Sequence, residues 1–494
     1  MDSKRNPRNR PVAASAQELS RRDFFSRVGD GLYGAALASL LQSDLFPTSI
    51  ALAASNAVPD LRPRAGHFPA KAKAVIQLFM HGGPSQVDLF DPKPLLEKFA
   101  GQPPSRDIAN DILFVGNAGG MMPSPFKFSK HGQSGMEISN VLPHLSRHAD
   151  DIALVRSMFS TNFTHGPAVF FMHGGRIFPD RPTVGAWVVY GLGSENQNLP
   201  AYVVLDDPKG LPTVGIRNWQ SGWLPPVYQG TRLRSEGSPM LNLRPPDGVP
   251  PGVLELERSL LARLSEAHRD SRPGQPDLEA RLASYELAAR MQLSATDALD
   301  LSKESEATRE MYGLNDEPTA SYGRRCLMAR RLVERGVRMV QIYVEGQIWD
   351  NHSDLETSLR YCCNKTDKPI GALLTDLKQR GLYDSTLVVW GGEFGRLPLS
   401  QVTPGREKNA GRDHGPTGFT VWMGGGGVKG GTVHGATDEL GYKAVENRVS
   451  VHDFHATILH LLGLDFGRLT YNHHGLNEKL TGQEPARVVK EILA

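Results

Sequence analysis

Thr386-Leu387-Val388-Val389-Trp390-Gly391-Gly392-Glu393-Phe394-Gly395-Arg396 is the stretch that decides the fold. Thr386 to Trp390 is apolar and β-branched with no alternation, as expected of a strand covered on both faces in a parallel sheet. The paired glycines turn the chain, and Glu393 sits at the tip of the turn. In open α/β sheets, sites gather outside the carboxyl ends of the strands. Shortly downstream, Gly411-Arg412-Asp413-His414-Gly415-Pro416 places an acid beside a histidine in a loop. Carboxylate oxygen and imidazole nitrogen on such loops are donors for a divalent metal.

The same grammar recurs upstream. Ala74-Val75-Ile76-Gln77-Leu78-Phe79-Met80 reads as a buried first strand and ends in His81-Gly82-Gly83-Pro84-Ser85. Further strands are expected over 152–157, 201–205, 339–344 and 420–423. Helices are expected over 142–148, 168–173, 182–190, 322–335, 357–380 and 451–462. Strands alternating with helices argue for an α/β sandwich with a mainly parallel sheet. Residues 254–311 carry Leu, Ala and charges at helical spacing, broken by Ser271-Arg272-Pro273-Gly274. Residues 251–320 therefore read as a helical insertion that serves as scaffold. Gly424 to Gly427 reads as a turn between strands, because a phosphate loop needs a lysine and a hydroxyl that this run lacks. No Gly-x-Gly-x-x-Gly follows the first strand, which argues against a dinucleotide-dependent oxidoreductase.

Composition narrows the class. The 494 residues are 39% hydrophobic and 22% charged, enough for a large core with one subdomain. The net charge of +2 and the lack of a long basic block give no sign of nucleic-acid binding. The three cysteines, Cys326, Cys362 and Cys363, are odd in number and two are adjacent, so a disulfide framework is not expected. The N-terminus is more specific. Ser20-Arg21-Arg22-Asp23-Phe24-Phe25 precedes a glycine- and alanine-rich apolar run over 28–41, and Ala51-Leu52-Ala53 offers small residues for cleavage. Residues 1–53 thus resemble a twin-arginine export signal, with 54–72 as a linker and 73–494 as the α/β domain. The apolar run is too short and glycine-rich for a stable membrane span. The expected location is periplasmic or otherwise extracytoplasmic, and the export machinery is the expected partner.

Asp88, Asp350, His352, Glu393, Asp413 and His414 supply enough oxygen and nitrogen for one or two divalent ions, whether zinc, manganese or calcium. Each has a plainer reading: Asp88 as a turn cap, Glu393 as the partner of Arg396, His352 as a surface histidine. Trp349-Asp350-Asn351-His352 follows a strand, as do His81 and Glu393. Thr164-His165-Gly166-Pro167 leads into a helix. There a hydroxyl meets backbone N–H groups that favour an anion. Thr164 is a candidate nucleophile or simply an N-cap, and His165 a ligand or an acid. Arg396 and Arg412 are candidates to neutralise an ester oxyanion.

Several blocks together resemble domain-of-unknown-function family 1501, exported proteins grouped by fold with the alkaline phosphatase and sulfatase superfamily. They are residues 82–94, 149–158, 164–168, 349–352, 392–396 and 411–414, and they cover nearly the whole chain after the leader. The resemblance implies an alkaline-phosphatase-like three-layer sandwich and hydrolysis of a phosphate or sulfate ester, on a small molecule or a polysaccharide. Sulfatases carry their nucleophile in Cys-x-Pro-Ser-Arg, and Thr164 or His165 falls at that place here. No cysteine is near, so a formylglycine cannot form. His81-Gly82 stands where sulfatases have paired aspartates, and Gly392-Glu393 where they have Asp-His or Asp-Asn. Residues 449–459 are similar to the sulfatase helix near the sheet edge. The alternative reading is a non-catalytic binding protein on a sulfatase-like fold, for example a partner of exported polysaccharide machinery.

Overall fold

Ala74–Phe79 (β1) is buried at all six positions, and the two faces of the strand feed different cores. Ile76 and Leu78 join one apolar cluster, Val75 and Phe79 the other. This is the period-2 alternation of a strand in which both sides are apolar. The computed structural model describes residues 60–111, 118–237, 251–272, 275–401 and 409–494. The expected signal at 1–53 lies outside the described residues.

The remaining strands of the main sheet are Ile152–Phe159 (β2), Tyr202–Leu205 (β3), Thr231–Leu233 (β4), Met339–Tyr343 (β5), Thr386–Gly391 (β6), Phe419–Gly424 (β7), Thr432–His434 (β8) and Val449–Ser450 (β9). Their order is β8-β2-β7-β6-β1-β5-β3-β4, with β9 also paired to β2. β1 runs parallel to β5 from Val75↔Met339 to Phe79↔Tyr343, and parallel to β6 from Ala74↔Thr386 to Phe79↔Gly391. All three strands therefore end level, and the residues that follow them emerge at one edge. β7 is the exception. It lies antiparallel between β2 and β6, so the loop that enters it, not the one that leaves it, faces that edge. Periodicity cannot reveal strand direction, and this reversal is what delivers residues 409–418 to the other loops.

The main helices are His165–Gly174 (α1), Val184–Leu192 (α2), Pro251–Asp270 (α3), Pro276–Leu299 (α4), Ala320–Glu334 (α5), Leu355–Gln379 (α6) and Val451–Leu461 (α7). α5 and α6 pack through Leu327, Leu332, Leu359 and Leu373 on the face of Ile76 and Leu78. α1, α2 and α7 pack through Val169, Val188 and Phe454 on the face of Val75 and Phe79. The fold is an α/β sandwich of three layers with a mostly parallel sheet. Each fully buried Leu, Val or Phe contributes roughly 1.5–3 kcal/mol. The helix expected over 142–148 is only a 3-10 turn, Leu145–His148. Gly425, Gly426 and Gly427 all have positive φ, which accounts for the glycine run as a turn. The three cysteines are buried and free, and no helix among the described residues is long and apolar enough to cross a membrane.

His455 ties two helices of one layer. It is fully buried on α7, and its Nε2 lies 2.8 Å from the Met172 carbonyl of α1. Burial lowers its pKa to about 4, whereas an unfolded chain takes up the proton near pH 6.5. The folded state thus binds fewer protons between those values. Its stability is complete above about pH 6.5 and falls as the pH drops toward 4, by about 2 kcal/mol between pH 7 and 5 from this group. His455→Gln keeps a donor for Met172 and is expected to reduce the pH 7 to 5 difference in urea midpoint. An unreduced difference would assign the acid sensitivity to other groups.

Candidate metal centre

Four loops meet at the edge where β1, β5 and β6 end. His81 follows β1, Asp350 and His352 follow β5, Glu393 follows β6, and Asp413 and His414 lead into β7. A fifth piece comes from β2, whose exit segment carries His165 onto the first turn of α1. Gly395–Arg396 pairs antiparallel with His414–Gly415, which pins the acid–histidine loop against the turn after β6.

Asp350 is the focus. Its carboxylate lies 3.2 Å from His165 Nε2, 2.8 Å from His352 Nε2 and 3.1 Å from His414 Nε2. The opposite nitrogen of each ring faces an oxygen acceptor. His165 Nδ1 is 2.7 Å from Glu393 Oε1, His414 Nδ1 is 2.6 Å from the Phe163 carbonyl, and His352 Nδ1 bonds Gln401 Oε1. Each outer Nδ1 faces an oxygen acceptor, so a ring that held a cation through its Nε2 lone pair would carry its proton on Nδ1. Anchoring the outer nitrogen to oxygen is how proteins orient histidine ligands. The four donor atoms of His165, Asp350, His352 and His414 lie within 4.8 Å of one another. His165 Nε2 is buried and is misaligned for a hydrogen bond despite its proximity to Asp350. A polar atom left in that state is explained by an acceptor of its lone pair, and a cation fits the donor set.

The electrostatics agree. Burial opposes the charge on Asp350, but His165, His352, His414 and Arg396 outweigh it and hold the carboxyl far below the ordinary range. Burial likewise pulls the His165 imidazole down, yet Asp350 and Glu393 raise it to about 9. The structure thus keeps His165 protonated between two carboxylates when no other cation is near. Burial lowers His81 and His414.

Residues 72–493 match the family described as protein of unknown function, DUF1501. The chain belongs to that family. None of the curated proteins matches it. Among solved structures, the lipoteichoic acid synthase LtaP from Listeria monocytogenes shares 10% identity over 83% of this chain and 78% of its own, with a TM-score of 0.34. The PsFucS1 sulfatase from Pseudoalteromonas sp. shares 12% over 79% and 68%, at 0.31. Alkaline phosphatase from the Antarctic bacterium TAB5 shares 14% over 72% and 92%, at 0.30. These likenesses are distant.

In this DUF1501 chain, the other residues singled out in the sequence fall around the four-residue group. Glu393 is fully buried behind His165 and accepts the Gly82 N–H at 3.0 Å. It stands behind His165, outside the four-residue group, and it does not pair with Arg396. Asp413 accepts the His414 N–H at 2.7 Å and stays 3.9 Å from His352 Nδ1. Arg396 is buried and donates to Asp350 at 2.6 Å and to the carbonyls of Gly82, Gly83, Trp349 and Arg412. It positions Asp350 and the loops and is turned away from any substrate. Asp88 lies apart from the cluster. Both of its oxygens are taken by Arg412, at 2.7 and 3.0 Å, with Ser85 as a third partner. That pair is completely buried, so neither member is free for a metal or an oxyanion. Thr164 occupies the N-cap position of α1 but makes no side-chain cap bond.

Gln401 and the Phe163 carbonyl escaped the sequence reading, since a backbone oxygen leaves no trace in composition. Asp88→Asn strands the buried Arg412 charge and is expected to destabilise the fold by about 3–5 kcal/mol in urea unfolding. A loss under about 1 kcal/mol would count against this pair as a structural tie.

Proposed function

We propose that this DUF1501 chain is an exported, metal-dependent hydrolase of phosphate or sulfate esters that works without a formylglycine. One observation carries the reading: three imidazole Nε2 atoms converge on the Asp350 carboxylate while each Nδ1 is anchored to an oxygen of its own. His165, His352 and His414 would hold the ion through Nε2, and Asp350 through carboxylate oxygen. Three nitrogens and one oxygen suit zinc or manganese better than calcium, which takes roughly six to eight oxygens. A bound divalent ion supplies Lewis acidity toward an ester oxygen.

The chain's own residues do the rest. A cavity of about 180 Å³ opens beside His414 and Asp413, walled by Ser160, Thr161 and Phe163. Pockets for whole ligands run to roughly 300–1,000 Å³, so this one has the size for a single tetrahedral ester group. Thr164 precedes His165 in the chain and is an exposed residue at the N-cap of α1. A helix N-terminus favours an anion, and the Thr164 hydroxyl is our candidate to attack it or to bind it. Glu393 keeps His165 in its tautomer, and Arg396 keeps Asp350 in place. The basic leader with Arg21-Arg22 supports passage of residues 1–53 through the twin-arginine route, with the linker 54–72 and the domain 73–494 delivered to the periplasm or another extracytoplasmic space.

Metal analysis of protein purified without chelators tests the first half. Zinc or manganese near one equivalent per chain is expected, falling below about a tenth in His352→Ala and His414→Ala. A folded wild-type protein that takes up neither ion on dialysis sinks the metal reading. Turnover of aryl phosphates and aryl sulfates by the loaded protein tests the second half, and complete inactivity on both would leave a binding protein on this fold. Glu393→Gln removes the charge that orients His165 and is expected to weaken metal affinity about 10–100-fold. An unchanged affinity in a competition titration with a chromophoric chelator would deny Glu393 that role.

A further inference from the structure

The exit segment of β2, from Phe159 to His165, has two sides. One side borders the small cavity at His414. The other borders a groove of about 770 Å³, and Ser160 and Thr161 line both. That volume lies in the range of a whole-ligand site, whereas the cavity at the centre does not. Two arginines in the groove have donors to spare. Arg448 lays its guanidinium over the Phe159 ring, 4.0 Å from the centroid, and among the described residues it forms no ion pair or hydrogen bond. Stacking uses the flat face of a guanidinium and leaves its N–H edge open to bind an oxyanion. Arg176 has a buried Nε without a partner. Among the described residues its only ion pair is a 3.5 Å approach to the exposed Glu484.

Arg176, Arg448 and Arg487 outnumber the groove's acids, Asp453 and Glu484. Asp453 spends its oxygens on the backbone N–H groups of Ser450 and Arg487, at 2.9 and 2.7 Å. A third arginine, Arg487, lines the groove with a loose 3.5 Å approach to Glu491. At the rim, Ile177 and Phe178 are exposed to 38% and 63%. A ligand that satisfies all of this carries anionic groups and presents apolar ring faces between them.

We propose that this groove is a distal subsite for an extended, multiply anionic oligosaccharide, gripped at a second sulfate or phosphate group by Arg448 and Arg176. The inference rests on the ester-hydrolase reading for what happens at the centre. The groove and the central cavity share Ser160 and Thr161, so a substrate that crosses this segment would reach both. Its apolar rim seats against Phe178 and Ile177, and its far anion meets the arginine pair.

Fluorescence anisotropy of the full chain with a labelled dextran sulfate oligomer tests the subsite without relying on turnover. Neutral dextran of equal length, a dextran phosphate oligomer, and vesicles containing phosphatidylglycerol serve as comparisons. Dextran sulfate or dextran phosphate is expected to bind at least tenfold more tightly than neutral dextran, and their ratio says which anion is preferred. Arg448→Gln and Arg176→Gln are each expected to weaken that binding about tenfold, with the circular dichroism spectrum unchanged. Binding equal to wild type in both variants overturns the subsite. Tighter binding to the vesicles, lost in Phe178→Ser, overturns the glycan in favour of a membrane surface. Metal content measured on the same samples separates the two readings. A protein without metal that still binds dextran sulfate through Arg448 loses the hydrolase reading and keeps the subsite.

Discussion

A single guanidinium holds the functional edge together. Arg396 reaches the carbonyls of Gly82 and Gly83 after β1, of Trp349 after β5 and of Arg412 before β7, and it binds the Asp350 carboxylate. These loops have little regular structure of their own. Burying a guanidinium costs several kcal/mol unless its donors are satisfied. Here the acceptors come from loops that must therefore stay in place. The neighbouring Arg412–Asp88 pair repeats the device one layer deeper. The centre is thus built on fixed cations in the protein, and the histidines are arranged around the one carboxylate that Arg396 positions.

Glu393 and Asp350 flank His165, and their combined pull keeps its proton well above neutrality. The proton on His165 and the Arg396 charge balance the two carboxylates.

The sheet was readable in the chain because its strands are apolar on both faces. β1, β5 and β6 appear where continuous apolar runs stand, and the two cores on either side explain why those runs do not alternate. Asp350, His352, Glu393 and His414 were likewise visible as acids and histidines just past strand ends, and His165 as a ligand or an acid. Other features depend on distances that a linear pattern does not carry. Glu393 and His352 look equivalent in sequence, yet one stands behind His165 and the other faces Asp350. Asp88 reads as a donor until Arg412, more than three hundred residues away, is seen to take both its oxygens. The reversed direction of β7 left no periodic signature, and it decides where His414 comes from.

The exit segment of β2 has a consequence for how such a protein can change. From Phe159 to His165 it supplies an aromatic platform on one side, and the Phe163 carbonyl and the His165 ring on the other. A substitution that reshapes one side moves the other by the same rigid displacement. Selection for a new ligand through this segment therefore disturbs the imidazole geometry as well. Variation is freer at the rim, where Ile177 and Phe178 project from a different part of the chain and nothing at the centre leans on them.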